Sequence, residues 1–136
     1  MRDLAHHLAV KRAISPVSVA DNTPLVSQII SLAGYEKAMF AIAIGSVADA
    51  DATFTVLVEH GDQANLSDAA AVPDSQLTGT EADAGFKFDN DDQTRKIGYV
   101  GPKAYLRMTI TPAGNASAAL IAAVAILSGS RYSPVA

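Results

Sequence analysis

No cysteine and no tryptophan occur in the 136 residues. The first absence excludes disulfides, zinc–thiolate sites and thiol nucleophiles. Without such staples, robustness has to come from packing or from association of copies. Aromatic residues make up only 6% of the chain. That is too few to line a saccharide-cleaving cleft with ring platforms, so a glycosidase built on paired carboxylates is not expected. Charge is scarce too: 18% of residues are charged, and the net charge is -4. No cationic cluster exceeds the pair Lys11-Arg12, so a nucleic-acid footprint is absent. The most apolar run, Ala116 to Leu127, is too short to span a bilayer. No uninterrupted apolar stretch follows the early charges of Met1 to His7, so no signal peptide is expected and synthesis is placed in the cytoplasm.

Apolar residues are abundant, at 49%, with alanine prominent among them. The length suits one domain with a sizeable core. Two runs, Met39 to Ile44 and Thr53 to Glu59, alternate with period two. They are predicted to pair as central strands, with Phe40, Ile42, Ile44, Phe54, Val56 and Val58 facing the core. In the first run, Met39, Ala41 and Ala43 share the other face, where small side chains suit something that approaches closely.

The rest of the chain reads as further strands and turns. Ala9 to Val19 is an extended segment placed at an edge by Pro16, which cannot donate to a ladder. Leu25 to Leu32 is a strand after the turn Asp21-Asn22-Thr23-Pro24. Gly85 to Asp89 and Arg95 to Val100 are predicted to form a hairpin around Asn90 to Gln93. Lys103 to Thr111 is a strand with Leu106, Met108 and Ile110 inward. Ala116 to Leu127 is apolar on both faces, which places it centrally in a sandwich or under another subunit. His60 to Ala84 is the longest irregular stretch, and a loop of that length is usually functional or an excursion onto a neighbour. The expected plan is an all-β, jelly-roll-like antiparallel β-sandwich of about eight strands. Residues 1–13 form an N-terminal arm, 14–128 the sandwich with its long loop 60–84, and 129–136 a C-terminal tail.

Carboxylates are the only abundant reactive groups. Asp49 and Asp51 sit in one connection, and Asp89 and Asp91 crowd a turn. They are candidate calcium ligands, but the glycine and distal glutamate of an EF-hand loop are missing. The alternative is that short acidic side chains solvate turns. His6-His7 diverge as neighbours on a strand and do not make a metal pair. His60 and Asp62 lack the glycine pattern of a serine nucleophile elbow. No enzyme activity and no cofactor are expected. Tyr99 and Tyr105 alternate with Arg95, Lys96, Lys103 and Arg107, which reads either as a partner-binding face or as a solvated sheet face.

Several stretches taken together carry a resemblance: Thr23 to Ile30, Gly34-Tyr35-Glu36, Ala48 to Glu59, Lys96 to Gly101 and Tyr105 to Pro112. Over about Ile14 to Leu127 the chain resembles a group of small proteins encoded in the structural-gene region of tailed bacteriophages and prophages. The resemblance implies a non-enzymatic virion component, a capsid decoration (cement) protein or another head accessory. It would contact the major capsid protein or another head protein and form a homo-oligomer, expected to be a trimer. The contact residues implied are Leu4, His7, Leu8, Val10 and Lys11 in the arm, and Leu66 and Leu77 in the long loop. Tyr99, Tyr105 and Arg107 would form a third contact patch. The alternative from another class is a carbohydrate- or calcium-binding jelly-roll module for host attachment or a head spike.

Overall fold

The structure, a computed structural model, describes residues 3–130. Met1 and Arg2 of the expected arm, and the expected tail beyond Ser130, lie outside the described residues. In chain order the strands are β1 (Leu8–Val19), β2 (Leu25–Val26), β3 (Ile30–Ser31), β4 (Lys37–Val47), β5 (Thr53–Gly61), β6 (Ala70–Ala71), β7 (Leu77–Thr78), β8 (Phe86–Lys87), β9 (Thr94–Tyr99), β10 (Tyr105–Ala113) and β11 (Ala119–Ser128). One short helix, α1 (Glu81–Ala84), precedes β8. They build two antiparallel sheets. One has five strands in the order β1-β11-β4-β9-β7. The other runs β2-β10-β5-β6, with β3 also on β10 and β8 also on β5. The expected all-β, jelly-roll-like sandwich is the fold.

Alternation drives the layering. On β5, Phe54, Val56 and Val58 are buried and Thr53, Thr55 and Leu57 exposed. On β10, Leu106, Met108 and Ile110 are buried. Phe40 and Ile42 of β4, Ile97 of β9, and Ile121 and Leu127 of β11 face them from the other sheet. Phe54 stacks on Phe86, with ring centroids 4.7 Å apart and planes at 10°.

Three pairings differ from the sequence expectation. β4 and β5 do not pair: β4 lies between β11 and β9, and β5 lies in the opposite sheet beside β10. Alternation tells which face is buried but not which strand is the neighbour, and the connection Ala48–Ala52 is long enough to cross the roughly 10 Å between sheets. The hairpin expected from Gly85 to Val100 does not form either. β8 pairs with β5 while β9 pairs with β4, so the two strands lie in different sheets. The break is the 3₁₀ turn Phe88–Asn90, which turns Phe88 outward while Phe86 stays buried. Finally, the strand expected over Leu25 to Leu32 is two short pieces on β10. They are separated where Ser27 turns its hydroxyl to the Met108 N–H, 2.9 Å away.

The expected arm is shorter than residues 1–13. From Leu8 onward the chain is laddered to β11, with bulges near Ile14 and Pro16. β1 is an edge strand, as its proline requires. Residues Ala5–His7 make a single 3₁₀ turn, held where the Asp3 carboxylate meets His6 Nδ1 at 2.6 Å.

The long stretch after His60 is not a projecting loop. β6 adds to the edge of β5, and β7 adds to the edge of β9, so the segment passes from one sheet to the other and closes one side of the sandwich. Leu66, Val72, Leu77 and Ala84 are buried by this closure. Thr80 caps α1 by accepting the Asp83 N–H at 3.0 Å. Glu81 then accepts the Val58 N–H at 2.8 Å, satisfying the edge of β5 away from β10, between the β6 and β8 pairings.

Because Phe54 is enclosed by this closure through Phe86, Phe54→Ala should destabilise the protein by about 3–5 kcal/mol. Leu57→Ala, on the exposed face of the same strand, should fall within about 1 kcal/mol of the parent. Urea denaturation of the two variants measures the difference.

Candidate functional site

The acidic turns are structural. Asp49 accepts the N–H groups of Asp51 at 2.9 Å and Ala116 at 2.8 Å. It thereby ties the β4–β5 crossing to the β10–β11 crossing, and these hydrogen bonds hold its carboxyl below the usual range. Asp91 accepts the Val47 N–H at 2.9 Å. Asp51 is exposed, and Asp89 lies 3.9 Å from Lys87. Among the described residues, no group of three or more His, Asp or Glu side chains is placed to hold a metal. Buried Asn115 completes that end of the sandwich, donating to the carbonyls of Val19 and Asp21.

At the opposite end lies a buried polar chain. The Tyr99 hydroxyl accepts the Lys103 N–H at 3.0 Å and stands 2.8 Å from His60 Nδ1. Which of the two donates across this contact is set by the imidazole tautomer. Burial first, and the nearby Lys103 charge second, push the His60 pKa down. Burial also raises the Tyr99 pKa. Lys103 in turn donates to Asp62 at 3.0 Å. Tyr99 is 4% exposed, so its ring is a core group and does not stand beside Tyr105 and Arg107 as an exposed contact. Leu66 and Leu77 are corrected in the same way: both are buried by the closing segment.

The other expected contact residues remain accessible. Leu4, His7, Val10 and Lys11 are exposed, and Leu8 is half-buried along the same edge. Tyr105 and Arg107 are half-buried on the outer face of the six-stranded sheet, where Arg107 meets Glu59 at 3.0 Å across the strand pair. The structure does not bring these two sets together, since they lie on different sheets.

The surface that stands out is the outer face of the five-stranded sheet. In register across it lie Val10, Ile126, Met39 and Gly98 in one row, and Arg12, Val124, Ala41 and Lys96 in the next. Val10 is 64% exposed, and Leu120 of β11 is 47% exposed on the same face. A depression of about 560 Å³ opens on the first row, between Leu8, Met39, Ile126 and Val100. Its floor is low because Gly98 has no side chain. The Thr78 hydroxyl occupies the space a Cβ would need, so another residue there would force the Thr78 side chain to move. None of the fourteen carboxylates lies on the strands of this sheet, whereas Lys11, Arg12, Lys37, Arg95 and Lys96 do. Sequence reasoning did not name this face as a site. Its signals were the small residues alternating with the core on β4 and the doubly apolar β11.

No protein-family model matches the sequence, and no curated protein matches it. Solved structures share the sandwich at low identity. A chain of the infectious bursal disease virus VP2 subviral particle superposes with a TM-score of 0.57 and 8% identity, over 90% of this chain and 32% of that one. A chain from the structure of the Gx strain of that virus gives 0.55 and 8%, over 93% and 33%. The Clostridium thermocellum endo-1,4-beta-D-xylanase 10B, as its CBM22-1 and GH10 modules complexed with xylohexaose, gives 0.52 and 12%, over 92% and 25%. The protein thus has the jelly-roll-like sandwich found in viral particle chains and in xylanase modules, and it spans a third or less of each of these three chains.

His60 generates a pH dependence. Its pKa is lowered in the folded state, so the unfolded chain binds the extra proton first. Stability is full above the ordinary histidine pKa of about 6.5 and falls as the pH drops from there through the folded value. The urea midpoint should decline between neutral pH and mildly acidic pH. His60→Gln should flatten that decline, even though it lowers stability at neutral pH.

Proposed function

We propose that the chain is a non-enzymatic structural component of a bacteriophage virion, a capsid decoration or head accessory protein that acts as an assembly of copies and contacts the major capsid protein. The observation that carries this reading is the outer face of the five-stranded sheet. It is a largely apolar surface whose strands carry no carboxylate, with Val10 and Leu120 open to solvent, and contiguous apolar surface of that kind marks a contact with another macromolecule. The resemblance to structural-region phage proteins supports the reading, as does the sandwich shared with the VP2 subviral particle. The exposed edge from Leu4 to Lys11 is the segment assigned to the head protein.

A sugar- or calcium-binding role has one support, the sandwich shared with the xylanase modules. Calcium binding asks for open carboxylates, and Asp49 and Asp91 already accept backbone N–H groups. A chelator is therefore expected to leave the melting temperature unchanged, and a drop on chelation would favour that role instead.

The virion reading is tested on purified particles from the parent phage or induced prophage. Mass spectrometry should find the protein at a fixed stoichiometry to the major capsid protein, and particles lacking it should lose their genome at a lower temperature. Its absence from washed particles would overturn the reading.

A further inference from the structure

We infer that the outer face of the five-stranded sheet docks a second copy of this chain head to tail, receiving the Phe88 knob of its neighbour. The inference rests on the assembly part of the proposed function and says which two surfaces build it.

The receiving surface is the depression floored by Gly98, with Met39 and Ile126 as its apolar walls. Lys37 and Lys96 line it and Arg12 stands in the adjacent row, and none of the ion pairs among the described residues uses them. Two such faces meet each other poorly, because the strands of each bring cations and no carboxylate, and the one acidic neighbour, Glu36, lies at the margin beside Lys37. Like charges across a desolvated contact oppose the pairing. The partner surface must therefore be apolar at its centre and acidic around it.

This chain carries such a surface elsewhere. Phe88 is 42% exposed on the 3₁₀ turn between β8 and β9. Asp89, Asp91 and Asp92 follow it, all exposed. The turn is not a loose loop. Asp91 accepts the Val47 N–H, and the Asp92 N–H donates to the Gly45 carbonyl at 3.1 Å, so the knob is fixed to the end of β4. The depression lies at the other end of that strand, beside Lys37 and Met39. The separation is about 30 Å at the usual rise of an extended chain. A copy cannot seat its own knob, but a neighbour can, and the same contact then repeats from copy to copy. Such a heterologous contact closes into a ring or continues as a filament, depending on the rotation between copies.

The test uses the full chain in solution, by light scattering and sedimentation. The parent protein should self-associate, and high salt should weaken the association. Phe88→Asp removes the knob, and Ile126→Glu blocks the depression. Each variant alone should be monomeric. Their equimolar mixture should form a one-to-one dimer, because one supplies an intact depression and the other an intact knob. Lys96→Glu, an exposed change that leaves the apolar walls in place, serves as a second depression variant should Ile126→Glu not fold. An oligomeric parent whose state these variants do not change, or variants that stay monomeric when mixed, would overturn head-to-tail docking and leave the assembly reading standing. A monomeric parent overturns both the docking and the self-assembly, while the presence of the protein in particles is decided separately by mass spectrometry.

Discussion

β11 is hydrogen-bonded along both edges, to β1 and to β4, and is apolar on both faces. This one constraint shapes the five-stranded sheet. Its inward residues, including Ile121 and Leu127, fill the core, while Leu120, Val124 and Ile126 are left facing out. Because β4 presents Met39, Ala41 and Ala43 beside them, the outer face has no polar row to interrupt it. An antiparallel sheet usually keeps one solvated, polar face. Here the polar residues have moved to the margins, as Arg12, Lys37 and Lys96.

The segment from Gly61 to Gly85 does complementary work on the other side. It pairs with one edge in each sheet, so it satisfies backbone groups that would otherwise be open and seals Phe54 and Phe86 from water. His60 and Tyr99 meet beneath it, from opposite sheets, as a buried polar contact with their rings edge to face. Burial lowers the pKa of this histidine, and its ring packs edge to face on Tyr99. Of the carboxylates near it, Asp68 accepts the N–H groups of Asp62 and Gln63, and Asp62 accepts from the Lys103 ammonium. Charge in this molecule is thus sorted by place: carboxylates hold the turns together, and cations that enter no ion pair among the described residues border one sheet.

Much of this was legible residue by residue. The burial of Phe40, Ile42, Phe54, Val56, Leu106 and Ile110 followed from period-two alternation, and the edge position of β1 followed from Pro16. The doubly apolar character of β11 was legible too, together with its two possible explanations. Tyr99 was misassigned because a tyrosine flanked by basic residues looks the same whether its ring points in or out. Only the partner 39 positions away, His60, decides. Leu66 and Leu77 were misassigned because an irregular segment has no period from which to read burial.

What the sequence by itself determined is the class of fold and the inner face of each long strand, because both depend on the two-residue repeat of an extended chain. Strand partners were a different matter. β4 and β5, and likewise β8 and β9, are neighbours in sequence yet lie in opposite sheets, since a connection of a few residues can either turn back or cross the sandwich. The candidate site was also decided only in three dimensions. Val10, Met39, Gly98 and Ile126 come from four strands spread along the chain, and only their hydrogen-bonded register sets them in one row.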